Sequence, residues 1–318
     1  MYHFFAATIG LWGQIGVDVF IIISVYFLRQ SNRFRSYKAI DLILETIFYG
    51  VFWSIIVINF VKKISVKEIL VGTFSLFVGN NWFVFAYILI YIYHPILNMI
   101  IRLMSDSQLK KVVLIMTITI AGLKTIYHGI AICDFLFMIN VYFIICYIER
   151  NKLSLWFTNN AKTGVLICSF ILFTVHMILV IVGTILDSSF ILSHSYYLNL
   201  RGSIYVLVDA LFLFYFVSSC YPRYSKVVNI ISSTCFGVFL SHQFLGYKFW
   251  YKLLFREGLN NIQASLHMIL SIVIIFLSCA VIDIVRQYTI GKMYKKIIEI
   301  KSIKKALDRM DMYINDEE

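Results

Sequence analysis

Charged residues and prolines are scarce in this chain. Only 14% of the 318 residues are Asp, Glu, Lys or Arg, and the two prolines, Pro95 and Pro222, stand near the ends of apolar stretches, where neither interrupts a helix interior. Hydrophobic residues make up 60% of the chain. A soluble domain of this size could not cover itself with so little polar surface. The composition therefore excludes a soluble fold and predicts an all-α protein, a polytopic bundle of transmembrane helices.

Cysteine pairs with the spacing of metal ligands are also missing. The six cysteines all fall in apolar stretches and none forms a CxxC pair, so the sequence indicates neither a disulfide framework nor a metal site. We interpret them as small packing side chains and expect no bound metal.

Runs of about 20 apolar residues mark the helices that cross a bilayer. We predict nine full spans, preceded by a short element over residues 1–9 that corresponds to the outer end of a helix whose beginning is missing from the chain. The apolar, glycine-bearing segment 66–79 is short and is predicted to be re-entrant or interfacial. The nine spans are 15–28, 39–61, 82–101, 110–127, 130–148, 163–186, 202–221, 228–249 and 264–286.

The distribution of Lys and Arg predicts the orientation. If the loop after span 15–28 is cytoplasmic, 20 of the 28 Lys and Arg fall on the cytoplasmic side. Residues 1–14 then lie outside or at the outer membrane edge, and the C-terminus is cytoplasmic. The net charge of +11 follows from this bias, so it does not call for nucleic acid as a partner.

The C-terminal segment is predicted to form a region of its own. Residues 1–286 make up the transmembrane domain, and residues 287–318 form a basic tail whose acidic residues gather at its end. Apolar residues recur through the tail at helical spacing, which predicts an amphipathic helix along the inner leaflet, in contact with membrane lipids. These apolar positions are Ile290, Met293, Ile297, Ile300, Leu307, Met310 and Ile314.

Ionisable residues within apolar spans are costly and mark candidate functional positions. Glu45 has a structural alternative, pairing with Lys38 and the helix dipole, and Asp283 can pair with Arg286. We predict that His176 is a neutral, hydrogen-bonded packing residue. For Asp134 and Asp209 a functional and a structural role stay open, since no opposite charge lies within a turn. The set is Asp18, Glu45, Asp134, His176, Asp209, His242 and Asp283.

Three motifs resemble the integral-membrane acyltransferases of family 3. Residues 16–20 (GVDVF), leading to 24–28 (SVYFL), are similar to the family's second-helix signature, a GVD run that ends in SGYFL. Residues 81–87 (NWFVFAY), followed by Tyr91 and 95–98 (PILN), are similar to its WF–xx–Y helix and P–xLN exit. Residues 233–242 (STCFGVFLSH) are similar to its late FGVYLIH element. The motifs occur in the family's order and cover most of the chain, and they fit best the branch that modifies bacterial cell-surface polysaccharides.

The resemblance implies an enzyme of the plasma membrane, an O-acyltransferase that is usually an O-acetyltransferase. Such an enzyme moves an acyl group from cytoplasmic acyl-CoA to a hydroxyl of a glycan, such as an exopolysaccharide, or of a lipid-linked sugar. It uses no cofactor, and acyl-CoA, usually acetyl-CoA, is its donor substrate. The oligomeric state stays open.

The resemblance also assigns site residues. His3 is placed as the catalytic base, and Asp18 orients it or binds an acceptor hydroxyl. The loop residues Arg29, Arg33, Arg35 and Lys38 are placed on the phosphates of acyl-CoA, for which guanidinium groups are suited; positive-inside topology alone explains their number equally well. The positions assigned to the acceptor or to a tunnel through the membrane are Ser24, Tyr26, Asn81, Trp82, Tyr87 and His242.

Two departures from the family pattern keep alternatives open. The family's first helix begins in the cytoplasm with an arginine about one helix length before the histidine, and this chain has neither feature. In addition, Val25 stands where the family has glycine. An inactive, truncated acyltransferase is therefore one alternative. A transporter or flippase of lipid-linked sugars is another, although no repeat with paired broken helices is found. A scaffold protein with no dependence on His3 is a third.

Overall fold

The structure is a computed structural model that describes residues 2–61, 64–78, 81–126, 133–195 and 197–315, and gives the backbone alone for residues 2–9, 11, 197, 244 and 295. Within these ranges the chain is helical and has no strand, which confirms the predicted all-α class. The helices are α1 (Tyr2–Leu28), α2 (Ser36–Val61), α3 (Val66–Thr73), α4 (Trp82–Leu103), α5 (Asp106–Met116), a π-helical turn (Thr117–Gly122), α6 (Leu123–Ile126), α7 (Asp134–Arg150), α8 (Ser154–Ile185), α9 (Ser189–Ser193), a 3-10 turn (Tyr197–Asn199), α10 (Ile204–Ser219), α11 (Lys226–His242), α12 (Phe244–Leu254), α13 (Asn261–Tyr288), α14 (Ile290–Ile298) and α15 (Lys301–Ile314).

Several described helices are suited to a bilayer. Four are long and apolar enough to cross it: α2, α4, α8, and α13 with α14, which together run over Asn261–Ile298. A fifth crossing is possible if the bent pair α11 and α12 forms one span. Shorter apolar helices run over Trp12–Leu28 and Ile204–Ser219. These helices are compatible with a polytopic bundle, and the count of nine spans stays a prediction.

The chain divides into two compact units. The first comprises Met1–Asn32 and Tyr93–Pro222. Its helix α10 packs against α8 and α1, and α7 packs against α1 and α5. Gly164 on α8 permits the closest approach, because a Cβ added there would lie 2.3 Å from the ring of Phe212 on α10.

The second unit comprises Arg33–Ile92 and Arg223–Glu318. Here α2 packs against α3, α11, α12 and α15, and α11 packs against α13. Trp53 on α2 lies against Phe249 and Trp250 of α12, with ring centroids 5.5 and 5.6 Å apart. Gly50 allows α3 to approach α2, since a Cβ there would lie 2.5 Å from the carbonyl oxygen of Thr73.

The first helix differs from the prediction. The sequence predicted an element over residues 1–9 separate from a span over 15–28, whereas α1 is one continuous helix, Tyr2–Leu28. Gly10 and Gly13 lie between the two predicted elements. A glycine in a helix interior costs only about 1 kcal/mol relative to alanine, and no proline lies in this stretch, so the helix passes through both positions.

Two other predicted spans are interrupted. The span 228–249 is wrong as a single helix: α11 ends at His242, and the chain turns by 84° into α12. Gln243 is extended there (φ −90°, ψ 165°), and a Cβ on Gly246 would lie 1.8 Å from the carbonyl oxygen of Ser241. The span 110–127 is likewise divided by the π-helical turn over Thr117–Gly122.

The C-terminal tail was predicted as one amphipathic helix over 287–318. It is divided instead, since α13 continues to Tyr288 and is followed by the separate helices α14 and α15. Ile300, between the last two, is extended (φ −60°, ψ 127°). The location of the tail on the inner leaflet stays a prediction.

Candidate functional site

Exposed cationic side chains occur in the loop before α2 and in the first turn of α2. Arg33, Arg35 and Lys38 are exposed, whereas Phe34 and Ser36 between them are 1% and 0% exposed. Arg33 and Arg35 precede α2 and Lys38 lies in its first turn. Three of the four residues predicted to bind phosphate are therefore exposed within six consecutive residues of the second unit.

Side chains of the C-terminal helix hold the backbone of this loop. The amide of Asn315 pairs with both backbone groups of Phe34: its Oδ1 accepts from the N–H at 2.7 Å, and its Nδ2 donates to the carbonyl oxygen at 3.0 Å. Asn315 directly follows α15, and within α15 Asp311 Oδ1 accepts from the N–H of Ser36 at 2.7 Å. Ser36 is the first residue of α2, so Asp311 acts as an N-terminal cap supplied from a distant part of the chain.

Arg35 is fixed by its neighbours as well. The Tyr91 hydroxyl on α4 lies 3.2 Å from both its backbone nitrogen and its carbonyl oxygen. The interaction with the Tyr37 side chain raises the pKa of the Arg35 guanidinium above its ordinary value, and Tyr91 and Asp311 act in the same direction. Arginine is cationic at any physiological pH, so the loop carries a permanent charge on a fixed backbone.

Arg29, the fourth predicted phosphate ligand, belongs to the first unit and has protein partners there. Its guanidinium lies 2.9 Å from Glu149 Oε2 and 4.5 Å from the centroid of the Tyr26 ring. Glu149 in turn accepts a hydrogen bond from the Tyr215 hydroxyl at 2.7 Å. The Arg29 side chain is 20% exposed. Since Glu149 already neutralises its charge, Arg29 is better placed to join α1, α7 and α10 than to bind a phosphate.

Other predicted residues of α1 serve the helix itself or its packing. Ser24 donates to the carbonyl oxygen of Phe20 at 2.9 Å, within α1. Tyr26 packs against Phe214, with ring centroids 5.3 Å apart. His3 lies in the first turn of α1, and its side chain is outside the described residues. Val25, at the family's glycine position, is 1% exposed and part of the core.

Asp18 is a buried carboxylate, 1% exposed, whose Oδ2 has no hydrogen-bond partner in the described part of the chain. The positive charges that act on it are those of Arg201 and Lys124. Asp18 follows His3 by 15 residues in a continuous helix, which separates the two by about 22 Å along the axis. The structure therefore does not bring Asp18 into hydrogen-bonding distance of His3.

Three other residues of the first unit that were predicted as candidates, Asp134, Asp209 and His176, have partners elsewhere in the unit. Asp134 pairs with Arg201 at 3.0 Å. Asp209 accepts a hydrogen bond from Ser169 at 3.1 Å. His176 is 1% exposed, and its Nδ1 lies 2.9 Å from the carbonyl oxygen of Ser195. This confirms the predicted hydrogen-bonded packing histidine.

The predicted acceptor residues Asn81, Trp82, Tyr87 and His242 lie in the second unit. Asn81 donates to Ser75 Oγ at 2.6 Å, and Tyr87 stacks on Phe83 (centroids 6.3 Å), which also contacts the Trp82 ring. His242 is exposed, and its Nδ1 lies 2.8 Å from the carbonyl oxygen of Val238. Since a carbonyl only accepts, Nδ1 is the donor of this hydrogen bond.

A small cavity lies beside Asn81, with Trp53 and Gln243 also in its lining. Its volume of about 20 Å³ can hold about one water molecule. The indole nitrogen of Trp53, 3% exposed, has no hydrogen-bond partner in the described part of the chain. The lining would have to open before a sugar ring could enter.

A buried ionic cluster joins α2 to α13 in the second unit. Arg286 lies 2.7 Å from Glu45 Oε1 and 2.7 Å from Asp283 Oδ1. Asp283 also accepts from the Tyr49 hydroxyl at 2.6 Å and from Gln287 at 2.7 Å. The predicted Asp283–Arg286 pair is confirmed. Glu45 pairs with Arg286 instead of Lys38, because the folded chain brings a buried cation closer than the exposed lysine.

Sequence reasoning missed the residues that act over long sequence distances. Asp311, Asn315, Tyr91 and Glu149 all hold loop or helix ends next to predicted site residues. The acidic end of the tail and the tyrosine of the second motif were visible, but nothing local indicated their partners. Among the described residues, no group of three His, Cys, Asp or Glu is arranged to hold a metal ion.

The comparisons with known proteins agree with the resemblance of the motifs. A family model described as an acyltransferase domain, that of acyltransferase family 3, matches residues 1–284 of the 318. No curated protein and no solved structure matches the chain. The chain belongs to acyltransferase family 3, and it is a membrane acyltransferase. Helices α14 and α15 lie outside the matched residues.

Proposed function

We propose that this protein is an O-acyltransferase of the bacterial plasma membrane, most simply an O-acetyltransferase. It would take the acyl group from cytoplasmic acyl-CoA and transfer it to a hydroxyl of a cell-surface or lipid-linked polysaccharide. Family membership supports acyl transfer. The observation that carries the choice of donor is the exposed row of Arg33, Arg35 and Lys38 on a fixed backbone.

Acyl-CoA suits this row because it carries a diphosphate and a further phosphate on its nucleotide. Guanidinium groups bind phosphate oxygens through two parallel hydrogen bonds, and lysine adds a mobile point charge. The loop is predicted to be cytoplasmic, where acyl-CoA is found. Arg29 is not part of this proposed donor site, because it pairs with Glu149.

The proposed chemistry requires one base. The imidazole of His3 would remove the proton of the acceptor hydroxyl as its oxygen attacks the thioester carbonyl carbon. The carbon–sulfur bond then breaks, the imidazolium returns the proton to the CoA thiolate, and an ester and free CoA leave. Asp18 lies about 22 Å from His3 along α1, so it is not assigned to the sugar that reacts.

The donor half of the proposal can be tested with purified full-length protein in lipid nanodiscs. Labelled acetyl-CoA is supplied with surface polysaccharide, and transfer of label is measured against donor concentration. The triple variant Arg33→Gln, Arg35→Gln, Lys38→Gln should raise the KM for acetyl-CoA at least about tenfold, since each lost charge-assisted hydrogen bond is worth roughly 1.5–3 kcal/mol.

A matched control removes charge elsewhere. Lys110 and Lys111 are exposed and predicted to be cytoplasmic, so Lys110→Gln, Lys111→Gln should leave the KM for acetyl-CoA unchanged. If both sets of substitutions change KM equally, general attraction of an anion explains the effect, and the loop is not the donor site. If wild-type protein transfers no label, the choice of acyl-CoA as donor is refuted.

A further inference from the structure

The end of the C-terminal helix α15 makes polar contacts with the backbone of the loop that carries Arg33 and Arg35. Asn315 satisfies the N–H and the carbonyl of Phe34, and Asp311 satisfies the N–H of Ser36. The hydroxyl of Ser36 also lies 3.4 Å from the carbonyl oxygen of Leu307 on the same helix. These contacts join residues more than 270 positions apart in sequence.

These contacts matter for the position of the loop because the residues that they hold, Phe34 and Ser36, are buried. Phe34 and Ser36 are at most 1% exposed, and a buried backbone group left without a partner costs about 1–3 kcal/mol. A loop released from α15 would therefore rearrange to reach water. Its exposed cations at positions 33, 35 and 38 would then lose their fixed spacing.

We propose that α15 positions the acyl-CoA loop, with Asp311 and Asn315 as positioning residues for donor binding. This rests on the proposed function, since it takes acyl-CoA as the donor held by Arg33, Arg35 and Lys38. Helix α15 lies outside the residues matched by the family model, so this support is a feature of the chain beyond that domain.

The sign of the effect separates positioning from simple electrostatics. Asp311 is an anion next to a loop that would bind an anion. If only charge mattered, Asp311→Ala would strengthen acyl-CoA binding. If Asp311 acts by holding the Ser36 N–H, the same substitution weakens binding, and Asp311→Asn, which keeps an oxygen acceptor without the charge, restores it.

The test compares two donors in full-length protein. Acetyl-CoA carries phosphates, whereas the acetyl thioester of N-acetylcysteamine has the same reactive bond and none. Asp311→Ala and Asn315→Ala should each raise the KM for acetyl-CoA about tenfold with kcat unchanged. Kinetics with the phosphate-free donor should not change. Asp308→Ala is the matched control, because Asp308 is an exposed aspartate one turn earlier on α15.

Each other outcome overturns the inference. If Asp311→Ala behaves like Asp308→Ala, or lowers the KM for acetyl-CoA, α15 does not position the loop. If both donors lose activity together, the contact is merely structural. If the wild-type enzyme transfers from neither donor, or from both without preference, the proposed donor itself is wrong. Amide hydrogen exchange over residues 33–38, which should rise in Asp311→Ala, gives a reading independent of activity.

Discussion

Replacing Arg286 by methionine should strongly destabilise the second unit. Arg286 is the cation that faces both Glu45 and Asp283, at 2.7 Å each. The three side chains are 8%, 12% and 0% exposed. Methionine keeps much of the apolar volume of the arginine stem, so the substitution mainly removes the charge and its hydrogen bonds.

The expected loss follows from the burial of the two carboxylates. Removing one partner of a buried ion pair costs roughly 3–5 kcal/mol, because the remaining charge is left uncompensated. Tyr49 and Gln287 still donate to Asp283, at 2.6 and 2.7 Å, so we expect about 3 kcal/mol, the lower end of this range. Glu45 keeps no such support among the contacts described.

The free energy of unfolding can be measured in detergent by denaturant titration, with tryptophan fluorescence as the signal. Trp53 and Trp250 are buried in the same unit. The control Arg256→Met replaces an exposed arginine and should change stability by no more than about 0.5 kcal/mol. Adding Glu45→Gln and Asp283→Asn to Arg286→Met should recover much of the loss. If Arg286→Met unfolds at the same denaturant concentration as Arg256→Met, the cluster does not stabilise the fold.

Two further predictions concern packing and pH. In Gly237→Ala the new Cβ would lie 2.3 Å from the Asp283 carboxyl carbon, which should lower the free energy of unfolding by about 1–3 kcal/mol. At Gly16 an added Cβ meets no atom within 4 Å among the described residues, its own helix backbone and chain neighbours aside, so Gly16→Ala should not destabilise the protein. Equal effects of the two substitutions would contradict the packing. Hydrogen bonding to Lys248 lowers the pKa of Glu68 from 4.5 to about 2, so its stabilisation is complete above pH 4.5 and is lost as pH falls towards 2. The difference in melting temperature between wild type and Glu68→Gln should shrink over that interval, and a constant difference would contradict the pairing.

Composition and apolar run length were sufficient to predict the helical membrane class. They worked because hydrocarbon leaves a backbone few ways to satisfy its polar groups. The same signals failed at Gln243, where the chain bends although apolar stretches precede Ser241 and follow Gln243. Hydropathy indicates whether a segment lies in apolar surroundings, but it does not indicate where the helix axis changes direction. The close approach of Gly246 to Ser241, which accompanies the bend, is a tertiary contact that sequence alone does not reveal.

Side-chain partners were predictable only where they are local. Asp283 and Arg286 lie three residues apart on one helix, and their pairing was predicted. Glu45 lies 241 residues before Arg286, and its partner was assigned wrongly. The loop cations were predicted as phosphate ligands from their type and position, and this stays a prediction. The hydrogen bond between Asp311 and the backbone of this loop could not be predicted, since the tail was interpreted from its amphipathic pattern as a helix on the membrane surface.

Proton NMR of the host cell's surface polysaccharide distinguishes an O-acyltransferase from the alternative functions. Polysaccharide is compared from the wild-type strain, a deletion strain, and the deletion complemented with either this chain or its His3→Ala variant. We expect O-acyl signals from the wild-type strain and from the deletion complemented with this chain, and no such signals from the deletion strain or from the deletion complemented with His3→Ala. Equal signals in all four samples would contradict the assignment of this protein as the O-acyltransferase. If the deletion strain lacks the signals but the deletion complemented with His3→Ala shows them, His3 is not the base.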